Sequence, residues 1–274
     1  MFILNRIKGF DLMQKVRPAA VAGMFYPADA SVLKQDIDDY LADAKELSQK
    51  RPKAIVVPHA GYIYSAAIAA SAFKSIIPFK HNIKRVVLLG PSHRVPFSGM
   101  AVPESDVFNT PLGNIAIDQE GVNQLLALPQ VIASDRAHSE EHSLEVQLPF
   151  LQEILGEFSL IPLVVGDAEQ HDVAAVINHF INDDGTLIVI SSDLSHYHSY
   201  EDAKTQDRAT SDAIVNLKPD LITYDDACGR NGVKGMMTVA AEIGLHVELL
   251  DLRNSGDTAG DKQRVVGYGA YAFY

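Results

Sequence analysis

TLIVISSDLSHYH, residues 186–198, runs from Leu187 to Ile190 without polar alternation and then turns polar at Asp193 and His196. A short apolar run of this kind, bounded by Gly, Pro or Ser, has the pattern of a strand buried on both faces. VVPHAGYIYS repeats the grammar, with Val56, Val57 and Pro58 leading into His59, and so does VVLLGPSHR, where residues 86–90 lead into His93. A further run at 160–166 completes a set of central strands. Helical patterns separate them at 65–77, 143–155, 172–181, 201–217 and 233–243. In the second, Leu144, Leu148, Leu151 and Leu155 share one face, and Pro149 predicts a kink. Strand and helix in alternation define an α/β fold: a single three-layer domain with a mostly parallel, mixed central sheet flanked by helices.

Outward from this core, residues 99–117 carry Pro103, Pro111 and Gly113 among short β-like pieces and predict a hairpin or long loop laid over the sheet. The tail, 246–252 and 265–273, predicts two more strands, antiparallel and near an edge. No linker divides the chain, so residues 16–274 read as one domain preceded by an extension over 1–15.

In open α/β sheets, ligands bind beyond the carboxyl ends of the strands. Three such ends can aim His59, His93, Asp193 and His196 at one place. Imidazole is both the commonest ligand of transition metals and the side chain that titrates nearest neutral pH, so ligand and acid/base roles are both open, beside a purely structural one. Cys228, in DACGRNGVKGMM, precedes a helix start and stands near Arg230; both would favour its thiolate as ligand or nucleophile, against the alternative of a small buried hydrophobe. Tyr62, Tyr64, Tyr197 and Tyr200 lie beside the histidines and are candidates to line a pocket.

Several functions are excluded or disfavoured. Among 274 residues, 35 acidic side chains against 23 basic ones give a net charge of -12, which repels nucleic acid and anionic lipid surfaces. No stretch approaches about 20 apolar residues, so no membrane span is expected. MFILNRIKGFDLM lacks the apolar core and cleavage site of a secretory signal, and one cysteine forbids an internal disulfide; a cytoplasmic setting is the expectation. Nucleotide-binding glycine motifs and G-x-S-x-G are missing, which argues against a nucleotide cofactor and a serine hydrolase. HSEEH at 138–142 matches the H-x-x-E-H peptidase pattern, but the helical period begins only after it. Glu140, Glu141 and His142 read better as a helix N-terminus beside the site.

Six ordered blocks carry a family likeness: VRPAAVAGMFYP (16–27), PHAGYIYS (58–65), GPSH (90–93), EHSLEVQLPFLQ (141–152), SSDLSHY (191–197) and CGR (228–230). Together they resemble the Memo family, whose prokaryotic members are called AmmeMemoRadiSam system protein B. That family is similar in fold to the LigB-like, class III extradiol dioxygenases, which hold non-haem iron with two histidines and a glutamate and use another histidine as acid/base. The resemblance implies His59 and His93 as metal ligands, Cys228 in the place of the glutamate, and His196 as the acid/base, oriented by Asp193. His142, Tyr62 and Arg230 would support the site or touch substrate.

A thiolate in place of a carboxylate is softer and shifts the metal preference among Fe, Cu and Zn toward copper or zinc. The implied cofactor is thus a divalent or cuprous metal ion. The implied function is a metal-dependent, dioxygenase-like redox enzyme; the alternative is a non-enzymatic module that binds a peptide or small ligand in the same pocket. The prokaryotic family name adds a radical-SAM pathway partner as an expectation.

Overall fold

The computed structural model describes residues 14–45 and 50–274; most of the expected extension over 1–15 lies outside the described residues. In chain order the strands are β1 (Val16–Arg17), β2 (Ala54–Val57), β3 (Arg85–Pro91), β4 (Met100–Val102), β5 (Val107–Thr110), β6 (Gly113–Ile117), β7 (Val131–Ala133), β8 (Ser159–Val165), β9 (Thr186–Ser191), β10 (His196–His198), β11 (Val247–Asn254) and β12 (Val265–Phe273). The helices are α1 (Ala30–Asp43), α2 (Tyr62–Ile76), α3 (Gln119–Leu125), α4 (Asp135–His138), α5 (His142–Glu145), α6 (Leu148–Leu155), α7 (Gln170–Asn178), α8 (Tyr200–Val215) and α9 (Arg230–Ile243).

These strands form one mixed sheet whose path runs β1-β5-β6-β8-β3-β9-β2-β12-β10. From β6 to β2 every neighbouring pair is parallel. All residues of β2 and β9 are buried, and successive strand residues face opposite sides, so both faces are covered. One cover packs α1, α2 and α6 together; elsewhere α7 packs on α9, and α9 on β3 and β9. The expected α/β architecture is the observed one.

Differences from the sequence expectations have local causes. The segment 99–117 does not lie over the sheet: β5 and β6 form a hairpin that joins it, β6 beside β8. Of the tail strands, antiparallel as expected, β12 is interior, zipped between β11 and β2. The single kinked helix at 143–155 is two helices, because Pro149 cannot donate to a preceding turn and instead sits in the first turn of α6. Helix α1 went unread although its signals are present: Asp29 caps the N–H groups of Ser31 and Val32, and Leu33, Ile37 and Leu41 form the buried stripe. Residues Tyr62–Asn82 are, against expectation, long and apolar enough to cross a membrane by composition, yet α2 is a core helix with 11 residues from Tyr62 to Ile76 buried against α1, α6, β2 and β12.

Candidate metal centre at the carboxyl rim of the sheet

The adjacent parallel strands β3, β9 and β2 end on the same edge of the sheet. Their continuations therefore deliver His93, Asp193 with His196, and His59 to one rim. Helix α5 joins from the side. Ser143 donates its hydroxyl proton to the Pro91 carbonyl, and a Cβ at Gly90 would lie 2.8 Å from the Ser143 hydroxyl, so the helix sits directly on the end of β3. Helix α9 approaches as closely: a Cβ at Gly229 would lie 2.6 Å from both the Ser191 carbonyl and the Ser192 Cβ. That contact sets Cys228 against His59, with Sγ 3.3 Å from Nε2.

The rim opens into a cavity of about 1480 Å³, lined among others by His59, His93, His142, Asp193, His196 and Cys228. His59, His93 and His142 each offer one ring nitrogen, and these donor atoms lie within 4.8 Å of one another. The rings are packed accordingly: His93 stacks on His142 at 4.6 Å, and His59 meets both edge-on at 5.2 and 5.5 Å.

Hydrogen bonding fixes which nitrogen of each ring carries the proton. Ser191 Oγ donates to the Ser143 carbonyl at 2.6 Å and accepts from Gln147 Nε2 at 2.9 Å, so toward His59 Nδ1, at 2.9 Å, it can only accept. His59 is thus protonated on Nδ1 and bare on Nε2, where the Cys228 thiol donates. His93 Nδ1 lies 2.9 Å from a Glu141 carboxylate oxygen, and His196 Nδ1 is 2.8 Å from the Leu194 carbonyl. Both are acceptors, so Nδ1 carries a proton in each of these rings and Nε2 is the nitrogen left as the donor position.

Charge follows the same logic. Burial, reinforced by the neighbouring imidazoles of His93 and His142, holds the His59 pKa well below its ordinary 6.5, so the ring is neutral. His142 is also pushed down, by burial and then by His93. Burial would raise Glu141, but the hydrogen bond and charge of His93 and the N–H groups of His93 and Ser143 outweigh it and hold the carboxyl at about 2. Asp193 is raised by burial.

These donors suit a cation that prefers nitrogen and sulfur. Three closely set imidazoles and a thiol match Zn, Cu or Fe and not the oxygen-seeking Mg or Ca. The ring nitrogens of three imidazoles converge with their lone pairs close together, an arrangement that an electrophile seated among them would relieve.

Several expected roles change. His142 stands with His59 and His93 in the mutually close group instead of behind it. Cys228 was expected to favour thiolate; burial and then the Asp193 charge push its pKa up, so the thiol keeps its proton in the metal-free pocket. The His196 ring is hydrogen-bonded through Nδ1 to the Leu194 carbonyl, while Asp193 makes its bonds elsewhere: its Oδ1 accepts the His59 backbone N–H at 2.7 Å, and its carbonyl accepts the Cys228 N–H. Tyr62 does not line the cavity: it is 3 % exposed and its hydroxyl donates to the Val146 carbonyl, which leaves it a supporting place and no contact with substrate. Arg230 does line the cavity, its guanidinium 4.5 Å over the Tyr224 ring. HSEEH spans two helices, with His138 ending α4 and His142 opening α5, so it is no peptidase helix.

The sequence reading missed Ser191 and Gln147, which orient His59, and the pairing of Glu141 with His93. Only the position of Glu141 before a helix start hinted at its role, and the N–H it caps is that of Ser143.

The sheet, with histidines from successive strand ends facing one cavity, defines an α/β domain with a metal-capable pocket. The sequence profile described as Memo-like protein matches residues 17–272, and the chain belongs to this family. Among its relatives are a MEMO1 family protein of Ignicoccus hospitalis, 37 % identical over 94 % of this chain and 98 % of the relative, and one of Aquifex aeolicus, 37 % identical over 93 % and 97 %. A crystal structure of an uncharacterised Escherichia coli K12 protein is similar at a TM-score of 0.48, with 12 % identity over 80 % of this chain and 99 % of that one.

Proposed function

We propose that this chain is a metal-dependent redox protein whose cavity presents a small molecule or a peptide group to a cation held by His59 and His93, with His142 and Cys228 as the further donors. The mutual approach of three imidazole donors within 4.8 Å at one rim supports this reading most. A bound transition metal would supply Lewis acidity and electron transfer there. Around it, the bare Nε2 of His196 accepts a proton from an acidic O–H or N–H group entering the cavity, and the Leu194 carbonyl stabilises the imidazolium through Nδ1–H. Asp193 holds the His59 backbone, and with it the angle of the ring. Tyr197, at the rim with φ 65, adopts a left-handed backbone that an aromatic residue takes only under constraint; its exposed ring carries the Arg264 guanidinium at 5.0 Å and forms one side of the entrance.

The test is reconstitution with Zn²⁺, Fe²⁺ and Cu⁺ and metal-to-protein ratios for the wild type, His59→Ala and His93→Ala. About one metal per chain in the wild type and a marked loss in both variants is expected. Negligible metal throughout, with peptide binding that survives chelation, would replace this reading by the binding module. The pathway partner is carried with the proposal, and a pull-down from native extract that recovers no radical-SAM protein would remove it.

A further inference from the structure

Glu141 makes more bonds than a helix cap needs. It precedes α5 and accepts the Ser143 N–H at 3.0 Å, which is the whole of its capping duty. The same carboxylate accepts the His93 backbone N–H on Oε2 at 2.6 Å and the His93 Nδ1–H on Oε1 at 2.9 Å, gripping the residue at both ends. Oε1 also lies 3.4 Å from the Nδ1 of His142, the ring nitrogen that has no hydrogen-bond partner. Because the two rings are stacked 24° from parallel, their Nδ1 atoms approach the same oxygen. Glu141 is 1 % exposed, and its own carbonyl is fixed by the Arg17 guanidinium at 2.8 Å. The His93 side chain, by contrast, is 29 % exposed, and among the described residues Glu141 alone hydrogen-bonds its ring.

We propose that Glu141 is the positioning residue of the cation site: one buried carboxylate that turns the Nε2 of His93 into the cavity, receives the Nδ1–H of His142 when that ring is engaged, and supplies the negative charge the imidazoles lack. The inference rests on the metal reading above. It places the carboxylate behind an imidazole, one residue removed from the cation, where it raises the basicity of the donor nitrogen and fixes its direction.

The experiment compares wild type, Glu141→Gln, which keeps length and loses charge, and Glu141→Asn, which still caps a helix and is too short to grip His93. Zn²⁺ affinity is read by competition with a chromophoric chelator, folding by circular dichroism, and the ring tautomers of the metal-free proteins by ¹⁵N NMR. Expected are folded variants whose Zn²⁺ affinity falls roughly 10–100-fold. The His93 ring should carry its proton on Nδ1 in the wild type and lose that preference in Glu141→Asn. Unchanged affinity in both folded variants overturns the proposal, as does a wild-type His93 protonated on Nε2. Should the wild type take up none of Zn²⁺, Fe²⁺ and Cu⁺, the metal reading falls, and the tautomer measurement alone then decides for or against Glu141.

Discussion

Glu141 and Glu145 stand at the two ends of α5, one turn apart, both closed to solvent, and they spend their charge in opposite ways. Glu145 accepts from Arg17 Nη1 at 2.6 Å, from the Ala20 and Val21 N–H groups, and from the Tyr26 hydroxyl, whose pKa is driven up by burial and by that carboxylate. Arg17 in turn donates to the carbonyls of His138 and Glu141. Each strong group in this clamp has a partner, and it pins residues 16–26 across the helix that opens the pocket. Glu141 instead spends its bonds on histidines of the cavity wall, where the His142 Nδ1 keeps no hydrogen bond of its own. One buried orphan of that kind costs about 1–3 kcal/mol. The dense bonding around Glu145 holds the far end of α5 beside it.

The sharpest way to break this contrast is Arg17→Ala. It leaves the Glu145 carboxylate without its cation in a dry site, and a loss of about 3–5 kcal/mol in urea unfolding is expected. A loss below about 1 kcal/mol would mean that the four donors to Glu145 are not acting together.

Acid comes next. His138, at the foot of the clamp, donates Nε2–H to the Ala101 carbonyl, and burial lowers its pKa from 6.5 to about 4. The folded protein therefore keeps it neutral where the unfolded chain binds a proton. Its stabilising contribution is complete above about pH 6.5 and declines as pH falls toward 4, a change of about 3 kcal/mol. His59, lowered for the same reason, adds to the slope. Urea midpoints measured between pH 4.5 and 7.5 should rise with pH, and less steeply in His138→Gln; parallel slopes would refute the assignment.

A smaller effect is expected from Gly229→Ala. The added methyl meets the Ser191 carbonyl, so α9 must withdraw at a cost of about 1–3 kcal/mol and carry Cys228 away from His59. Slower reaction of neither thiol nor metal probes, with unchanged stability, would show the contact to be soft. Smallest of all is His142→Phe: stability within about 1 kcal/mol of the wild type, or above it, with weakened Zn²⁺ binding. A large destabilisation would make His142 a core residue instead of a donor.

The two regions also differ in how far the sequence disclosed them. His59, His93 and His196 were legible because each follows an unbroken apolar strand, and the rule that parallel strands end together does the rest. The clamp was invisible: Arg17 and Glu145 are 128 residues apart, and no local period announces that a charged pair will be buried. Glu141 was read only as a helix start because its second duty depends on β3 ending beside α5. The thiol of Cys228 was misjudged for a related reason. Helix dipole and Arg230 are local signals, whereas the burial and the Asp193 charge that keep its proton on arise only in the fold. Tyr62 was drawn in by its neighbour His59, though helical geometry turns its ring toward Tyr26 and Phe150.

The placement of hydrogen on the far side of His59 has a consequence for calorimetry. A cation seated on that neutral ring displaces no hydrogen ion from it, so its bond to His59 adds nothing to the heat of uptake that depends on the ionisation enthalpy of the buffer. Recruitment of Cys228 would release one, and the measured heat would then track the buffer. Comparing Zn²⁺ and Cu⁺ in phosphate-free buffers would thus count, metal by metal, whether sulfur has joined the nitrogens.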